Sequence, residues 1–462
     1  MAEHWGPYNI EFCYLPFVLE GAGEATEAYT KAKAVLRASD AWHEVHDDVR
    51  YLFRYICEKY DADSPNCQCH HFVLADEALD ELGMGGNHPW VIGRFWERKK
   101  HRWCEDAGSS RIFIDQAHCY VFGTSVNILV LRMHMEVDDP LAVAERIFHI
   151  KNVRNGVLVP YDETRGTEAG VKSAPHAIPL LDMALNTVAA FTSEATPRFF
   201  FYANERRERA NVFLQVDVDE AICGDIDVEQ TMFYLANCYK QDFDYDSEHI
   251  LPVSSYWATP ATLWGYSSEA LACLTLPARA GQGRGFLFSV FRRNIANEYQ
   301  FLYLLLLHQK YAYYRLLMRI GAGQRRDREQ LERFHRELEV FKANFVFSRV
   351  SETQQYQTLY EKVAEELRLS DMERDVAEPI AALAQLRQEE DDRAEREGEQ
   401  RVERAMNTVA LLAGISAICD ALDVFNNYVG VVLPDGLRIV ISCAVSLGLV
   451  AVTAKAARDL QG

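Results

Sequence analysis

Four polar residues near the C-terminal end of the sequence have the spacing of one helical stripe: Ser416, Asp420, Asp423 and Asn427. They recur at intervals of four, three and four residues, so an α-helix places them on the same side. Carboxylates are costly next to lipid, and such a stripe is typical of membrane helices that surround a water-filled path. In a ring of identical subunits, Asp420 and Asp423 would concentrate cations. The alternative is an amphipathic hairpin packed on the rest of the protein, with both carboxylates in solvent.

The residues around this stripe predict two membrane spans, 408–430 and 437–454, because their apolar runs approach the roughly 20 residues that a bilayer requires. The connection VVLPDG contains proline and glycine, which favours an antiparallel hairpin. Basic residues flank the outer ends of both spans, so the positive-inside rule predicts that both termini are cytoplasmic. We therefore expect a multi-pass protein of the bacterial inner membrane, with a hairpin domain over 408–462.

The remainder of the chain predicts three further regions. Residues 1–285 mix strand-like and helical runs, which is typical of an α/β or α+β cytoplasmic domain. Residues 286–378 are mainly helical, and 379–407, rich in Ala, Glu, Gln, Arg and Leu, predict a stalk helix. Candidate strands lie near Tyr8, Arg111, Ser125, Pro197 and Asn211, and candidate helices cover 24–37, 140–151 and 179–193.

Composition and motifs exclude several functions. The formal net charge of −20 argues against a protein that binds nucleic acid directly through its phosphates. The sequence contains no GxxxxGK[ST], GxSxG or HExxH motif, so the common phosphate-loop, serine-hydrolase and zinc-protease chemistries are not expected. The expectation is therefore a protein that is not an enzyme.

Histidines and cysteines gather in the first part of the chain: His43, His46, Cys67, Cys69, His70, His71, His101 and Cys104. Imidazoles and thiolates at such short spacing could form a tetrahedral zinc site. The alternative is that the cysteines are free thiols that pack as small apolar residues.

The layout resembles the CorA-like divalent cation channels. In that family the pore helix begins near an asparagine and ends in a Gly-Met-Asn signature. Asn407, in the segment RAMNTVALLAG, occupies the position of that asparagine. Gly430-Val431-Val432 stands where the Gly-Met-Asn signature would be. The resemblance implies a funnel-shaped homopentamer in a lipid bilayer that conducts a divalent cation such as Mg²⁺. Asn407 and the polar stripe would line its pore, and Asp420 and Asp423 would hold the metal.

Two alternative functions remain open. Some divergent CorA-like proteins accompany type III CRISPR systems, and this resemblance implies an antiviral membrane effector gated by a nucleotide-derived second messenger. The loop ARAGQGRG, with Arg279 and Arg284, precedes a helix and could approach the phosphate of such a ligand, or it could be a flexible connector. The other alternative is a membrane-tethered enzyme or sensor without a pore.

Overall fold

The computed structural model describes most of the chain. The described residues are 8–21, 25–47, 49–97, 102–105, 110–154, 156–161, 178–193, 195–200, 209–241, 243, 245, 253–321, 328–428, 436–437, 439–440, 444, 447–448 and 451. The chain divides into two compact units, residues 1–380 and 381–462.

One mixed sheet organises the first unit, and fourteen strands belong to it among the described residues. They are β1 (Tyr8–Glu20), β2 (Trp42–Val45), β3 (Cys69–Leu74), β4 (Trp90–Glu97), β5 (Arg102–Glu105), β6 (Ile112–Phe122), β7 (Asn127–Met135), β8 (Gly156–Pro160), β9 (Ile178–Pro179), β10 (Thr196–Phe199), β11 (Asn211–Asp217), β12 (Ser254–Thr259), β13 (Thr262–Tyr266) and β14 (Ala270–Thr275).

Strand β1 lies near the centre of the sheet, whose order is β12-β13-β14-β11-β1-β7-β6-β4-β8-β9. It pairs antiparallel with β7 and β11, whereas β11 and β14 run parallel. Strand β3 adds to β6, and β2 adds to β3. The sequence of β1, YNIEFCYLPFVLE, is apolar on both faces, as expected for a strand covered on both sides.

Helices of the first unit cover both faces of the sheet. The helices among the described residues are α1 (Ala25–Ala38), α2 (Arg54–Tyr60), α3 (Asp76–Glu81), α4 (Pro140–Lys151), α5 (Leu180–Thr187), α6 (Val228–Asn237), α7 (Arg284–Phe286), α8 (Arg292–Asn294), α9 (Gln300–Gly321), α10 (Arg328–Phe345), α11 (Gln354–Glu366) and α12 (Leu369–Tyr428).

Alternate residues of β1 separate the two faces. Cys13 and Leu15 belong to the core that also contains buried side chains of α1, α4, α5 and α6. Tyr14 points to the opposite face, where its ring meets that of Tyr303 on α9 edge-on at 5.2 Å. The first unit is therefore a helix–sheet–helix sandwich.

The helical region that leads into α9 contains two π-helical segments, Leu287–Phe291 and Ile295–Tyr299, which alternate with the short helices α7 and α8. Segments of this kind are rare and often occur at functional sites. They follow the Gly-rich loop directly.

The predicted transmembrane hairpin was wrong. Among the described residues, no helix combines the length and the apolar character needed to cross a membrane. The apolar run Thr408–Cys419 has twelve residues, about 18 Å of helix against a hydrocarbon core of roughly 30 Å, and carboxylates follow it. Most of the predicted span 437–454 lies outside the described residues. The predictions of an ion-conducting membrane channel and of an inner-membrane location required this hairpin, and they are corrected with it.

Candidate functional site

The pairing of β2 with β3 brings a carboxylate, an imidazole and a thiol together. Glu44 lies opposite Phe72 in this ladder, and His70, two residues from Phe72, shares its face. The Nδ1 atom of His70 is 2.5 Å from Oε1 of Glu44. Cys67, just before β3, places its Sγ 3.8 Å from Nε2 of the same imidazole. A thiol, a base and a group that orients the base are thus adjacent, which is the arrangement of an activated nucleophile.

Neighbouring side chains fix this group. The guanidinium of Arg37 donates two hydrogen bonds, of 2.8 and 2.9 Å, to the carboxylate of Glu44. The ring of Tyr29 stacks on the imidazole of His70 with centroids 5.8 Å apart. Burial lowers the pKa of His70 although Glu44 opposes this effect, and burial raises the pKa of the Cys67 thiol. At neutral pH the site therefore contains a neutral imidazole and a protonated thiol.

A second group of polar side chains lies on the opposite face of β3. The Nδ1 atom of His71 is 2.8 Å from a carboxylate oxygen of Asp47, and its Nε2 is 3.0 Å from Nδ1 of His118. The ring of Tyr120 stacks on His71 at 4.1 Å. Burial holds the pKa of His118 well below its usual range, and the neighbouring His71 and Arg132 lower this pKa further. This group is a buried polar network without a thiol.

The predicted zinc site does not form from the described histidines and cysteines. Within the described part of the chain, the one group with suitable spacing for a metal is His46, Asp61 and Asp63, and it contains no cysteine. Nδ1 of His46 is 3.4 Å from Asp61, and its Nε2 is 3.8 Å from Asp63. All three residues are exposed, and exposed acidic groups are common without a metal. His101 lies outside the described residues.

The Gly-rich loop lies after β14, at the edge where the parallel strands β11 and β14 end. Arg279 is exposed, and its guanidinium lies over the ring of Trp257, 5.5 Å from the centroid. Trp257 is itself 45% exposed. Arg284 forms an ion pair with Glu220. The positions that Cβ atoms would take at the three loop glycines, Gly281, Gly283 and Gly285, have no atom within 4 Å, so this backbone is open to a ligand.

The predicted pore-lining residues all belong to α12. Asn407, Ser416 and Asp420 are exposed, whereas the side chains of Asp423 and Asn427 lie outside the described part. Among the described side chains, Asp420 belongs to no group of histidine, cysteine or carboxylate ligands with the spacing of a metal site within one chain.

The helical stripe of Ser416 and Asp420 continues towards the N-terminus as an apolar stripe. Val402, Met406 and Val409 precede Ser416 at spacings of four, three and seven residues. Their side chains are 61%, 67% and 64% exposed. This half of the stripe was not among the features predicted from the sequence. The signal that could have found it is the alternating three- and four-residue spacing of a heptad.

Comparisons with known proteins identify no family for this chain. No protein-family model matches the sequence, and no curated protein or solved structure matches at a significant level. The CorA-like resemblance therefore stays an expectation from the sequence alone.

Proposed function

We propose that this protein functions as a homo-oligomer assembled through α12. The observation that carries the proposal is the row of exposed apolar side chains on this helix, the seam, defined by Val402, Met406 and Val409. Burying an aliphatic side chain of this size contributes about 1.5–3 kcal/mol. Three such side chains from each chain would therefore supply several kcal/mol to association.

The partner that best fits the seam is a second copy of the same chain. Apolar residues repeated every 3.5 residues on average allow identical helices to insert side chains into one another's grooves. The seam continues through Ala413 to Ser416 and Asp420, and polar residues at such positions fix the register and the number of helices. Upstream of the seam, Glu397 and Arg401 form an ion pair at 4.0 Å within the same helix.

The mass of the full chain in solution tests this proposal. We expect light scattering coupled to size exclusion to give a multiple of 52.8 kDa. The double variant Met406→Glu/Val409→Glu introduces charges into the seam and should dissociate the assembly. A matched control, Gln400→Glu/Thr408→Glu, adds the same charges on the other side of the helix and should leave the mass unchanged. A wild-type mass of 52.8 kDa at all concentrations would refute the proposal.

A second candidate function is the binding of a small phosphate-bearing ligand, of the nucleotide class, at the Gly-rich loop. The specific observation in its favour is the exposed pair of Arg279 and Trp257 beside open glycine backbone. An aromatic ring stacks on a base, while an arginine binds phosphate. Such a protein would be a ligand-dependent sensor, in which ligand binding at the loop changes the conformation of the helical region that follows it.

Calorimetry of the full chain against a panel of mono-, di- and cyclic nucleotides tests the ligand. We expect at least one to bind, and we expect Arg279→Ala and Trp257→Ala each to weaken it about 10-fold or more, since a charged hydrogen bond contributes about 1.5–3 kcal/mol and base stacking about 1–3. Arg293→Ala, an exposed arginine on α8, is the matched control. The absence of binding across the panel, or an equal loss in the control, would count against this candidate.

A further inference from the structure

We propose that Cys67 is a nucleophilic thiol, with His70 as its general base and Glu44 as the residue that orients the base. The site would react with small soft electrophiles, which makes it a site of covalent modification. This inference is independent of the proposed self-assembly and of the nucleotide site.

The geometry assigns the protons. Nδ1 of His70, 2.5 Å from Oε1 of Glu44, carries the hydrogen and donates it to the carboxylate. This tautomer leaves the lone pair on Nε2, which is 3.8 Å from Sγ of Cys67, against 4.0 Å between Sγ and Nδ1. His70 is buried, so water competes poorly for this lone pair.

Two contacts hold the imidazole in place. Arg37 binds both oxygens of Glu44, so the carboxylate cannot rotate freely towards solvent. Tyr29 stacks on the imidazole at 5.8 Å.

Cys67 is partly exposed, so a small reagent reaches the sulfur. The resting thiol donates to the carbonyl oxygen of Cys69 at 3.2 Å, and rotation about the Cβ–Sγ bond turns its hydrogen towards Nε2.

In the reaction with an alkyl halide, the thiol proton passes to Nε2 of His70 as the sulfur attacks carbon. A carbon–sulfur bond forms, and the carbon–halogen bond breaks with release of halide. The imidazolium then loses its proton to water. The Glu44 carboxylate stabilises the transient positive charge on the ring, in the way that a third residue supports a nucleophile–base pair.

The chain contains a matched control in Cys57. This thiol is also partly exposed, and burial raises its pKa as it does for Cys67. Its sulfur lies near two backbone carbonyls, those of Val49 at 3.6 Å and Leu52 at 3.8 Å, rather than an imidazole. A difference in reactivity between the two thiols therefore reports the effect of His70.

The test is the rate of alkylation by iodoacetamide, measured for each cysteine peptide by mass spectrometry on the native full chain. At pH 7 we expect Cys67 to react at least about 10-fold faster than Cys57, because a general base contributes about 10²–10⁴-fold. His70→Gln should remove this advantage, and Glu44→Gln should reduce it, while both leave the rate of Cys57 unchanged. The unchanged Cys57 rate also confirms that the variants fold.

Two results would overturn the proposal. One is a Cys67 rate equal to or below that of Cys57 in the wild-type chain from pH 6 to 9, a measurement that needs no variant. The other is a Cys67 rate that His70→Gln does not change. A pH profile strengthens the test, since the advantage of Cys67 should decline below the point where His70 becomes protonated.

Discussion

The stability of the sandwich in acid should depend on His308. This residue of α9 is fully buried, its ring stacks on Phe122 with centroids 3.7 Å apart, and its Nε2 is 2.8 Å from the hydroxyl of Thr124. Burial lowers its pKa from 6.5 to about 3. The imidazole is therefore neutral in the folded protein at pH values where the unfolded chain already binds a proton.

The size of this effect follows from the pKa difference. Because the folded pKa is below the unfolded one, the contribution of His308 is fully present above about pH 6.5 and is lost as the pH falls towards 3. Each pH unit in this window costs about 1.4 kcal/mol. We expect a loss of about 2 kcal/mol between pH 6.5 and pH 5 from this residue alone.

Urea unfolding followed by circular dichroism measures this loss. His308→Gln removes the titration, although it also removes the ring stacking and lowers the free energy of unfolding at every pH. The comparison is therefore between slopes. We expect the wild-type free energy of unfolding to fall about 2 kcal/mol further than that of the variant between pH 6.5 and pH 5. Parallel curves for the two proteins would refute the reasoning, because the other acid-sensitive groups are common to both. One of these is His149, whose pKa burial also lowers to about 3.

Three further predictions follow from single residues. Both carboxylate oxygens of Glu11 are buried without a hydrogen-bond partner, and burial raises its pKa well above 4.5. Stability from this group is present below about pH 4.5 and falls by about 1.4 kcal/mol per pH unit above it, so Glu11→Gln should raise the free energy of unfolding at pH 7 and flatten its pH dependence. A steeper or unchanged pH dependence would contradict this. In the proposed assembly, copies of Asp420 approach one another and would attract a divalent cation, so EDTA should weaken self-association of the wild type measured by light scattering, whereas Asp420→Asn should be insensitive to EDTA. An equal response of both proteins would show that no metal bound at Asp420 stabilises the assembly. A Cβ atom at Gly156 would lie 2.2 Å from the carbonyl oxygen of His149, so Gly156→Ala should lower the melting temperature by several degrees, consistent with about 1–3 kcal/mol of strain; an unchanged melting temperature would show that the backbone adapts.

Local patterns in the sequence predicted several elements correctly. The strands expected near Tyr8, Arg111, Ser125, Pro197 and Asn211 are confirmed as β1, β6, β7, β10 and β11. The helix predicted over 140–151 is confirmed as Pro140–Lys151. Each of these depends on neighbours in sequence: short apolar runs rich in β-branched and aromatic residues for the strands, and for the helix a proline in the first turn after the capping residue Asp139.

The membrane prediction was wrong because a hydropathy pattern records only how apolar a stretch is. Crossing a bilayer also requires enough uninterrupted length. The run that ends at Cys419 is short, and Asp420 and Asp423 continue the same helix. Spacing alone predicts the polar stripe, whereas the exposure of its apolar continuation at Met406 and Val409 is known only from the structure.

By itself, the sequence determined the acidic balance, the absence of common catalytic motifs, the stripe of Ser416 and Asp420, and the local helices and strands. Interactions within a helical turn or along one strand follow from backbone geometry, so they can be derived from spacing. The tertiary structure alone decided which side chains meet across strands. Glu44 and His70 are 26 residues apart, and His71 and His118 are 47 apart. Their contacts depend on the register in which β2, β3 and β6 pair, which the burial of the whole sheet selects.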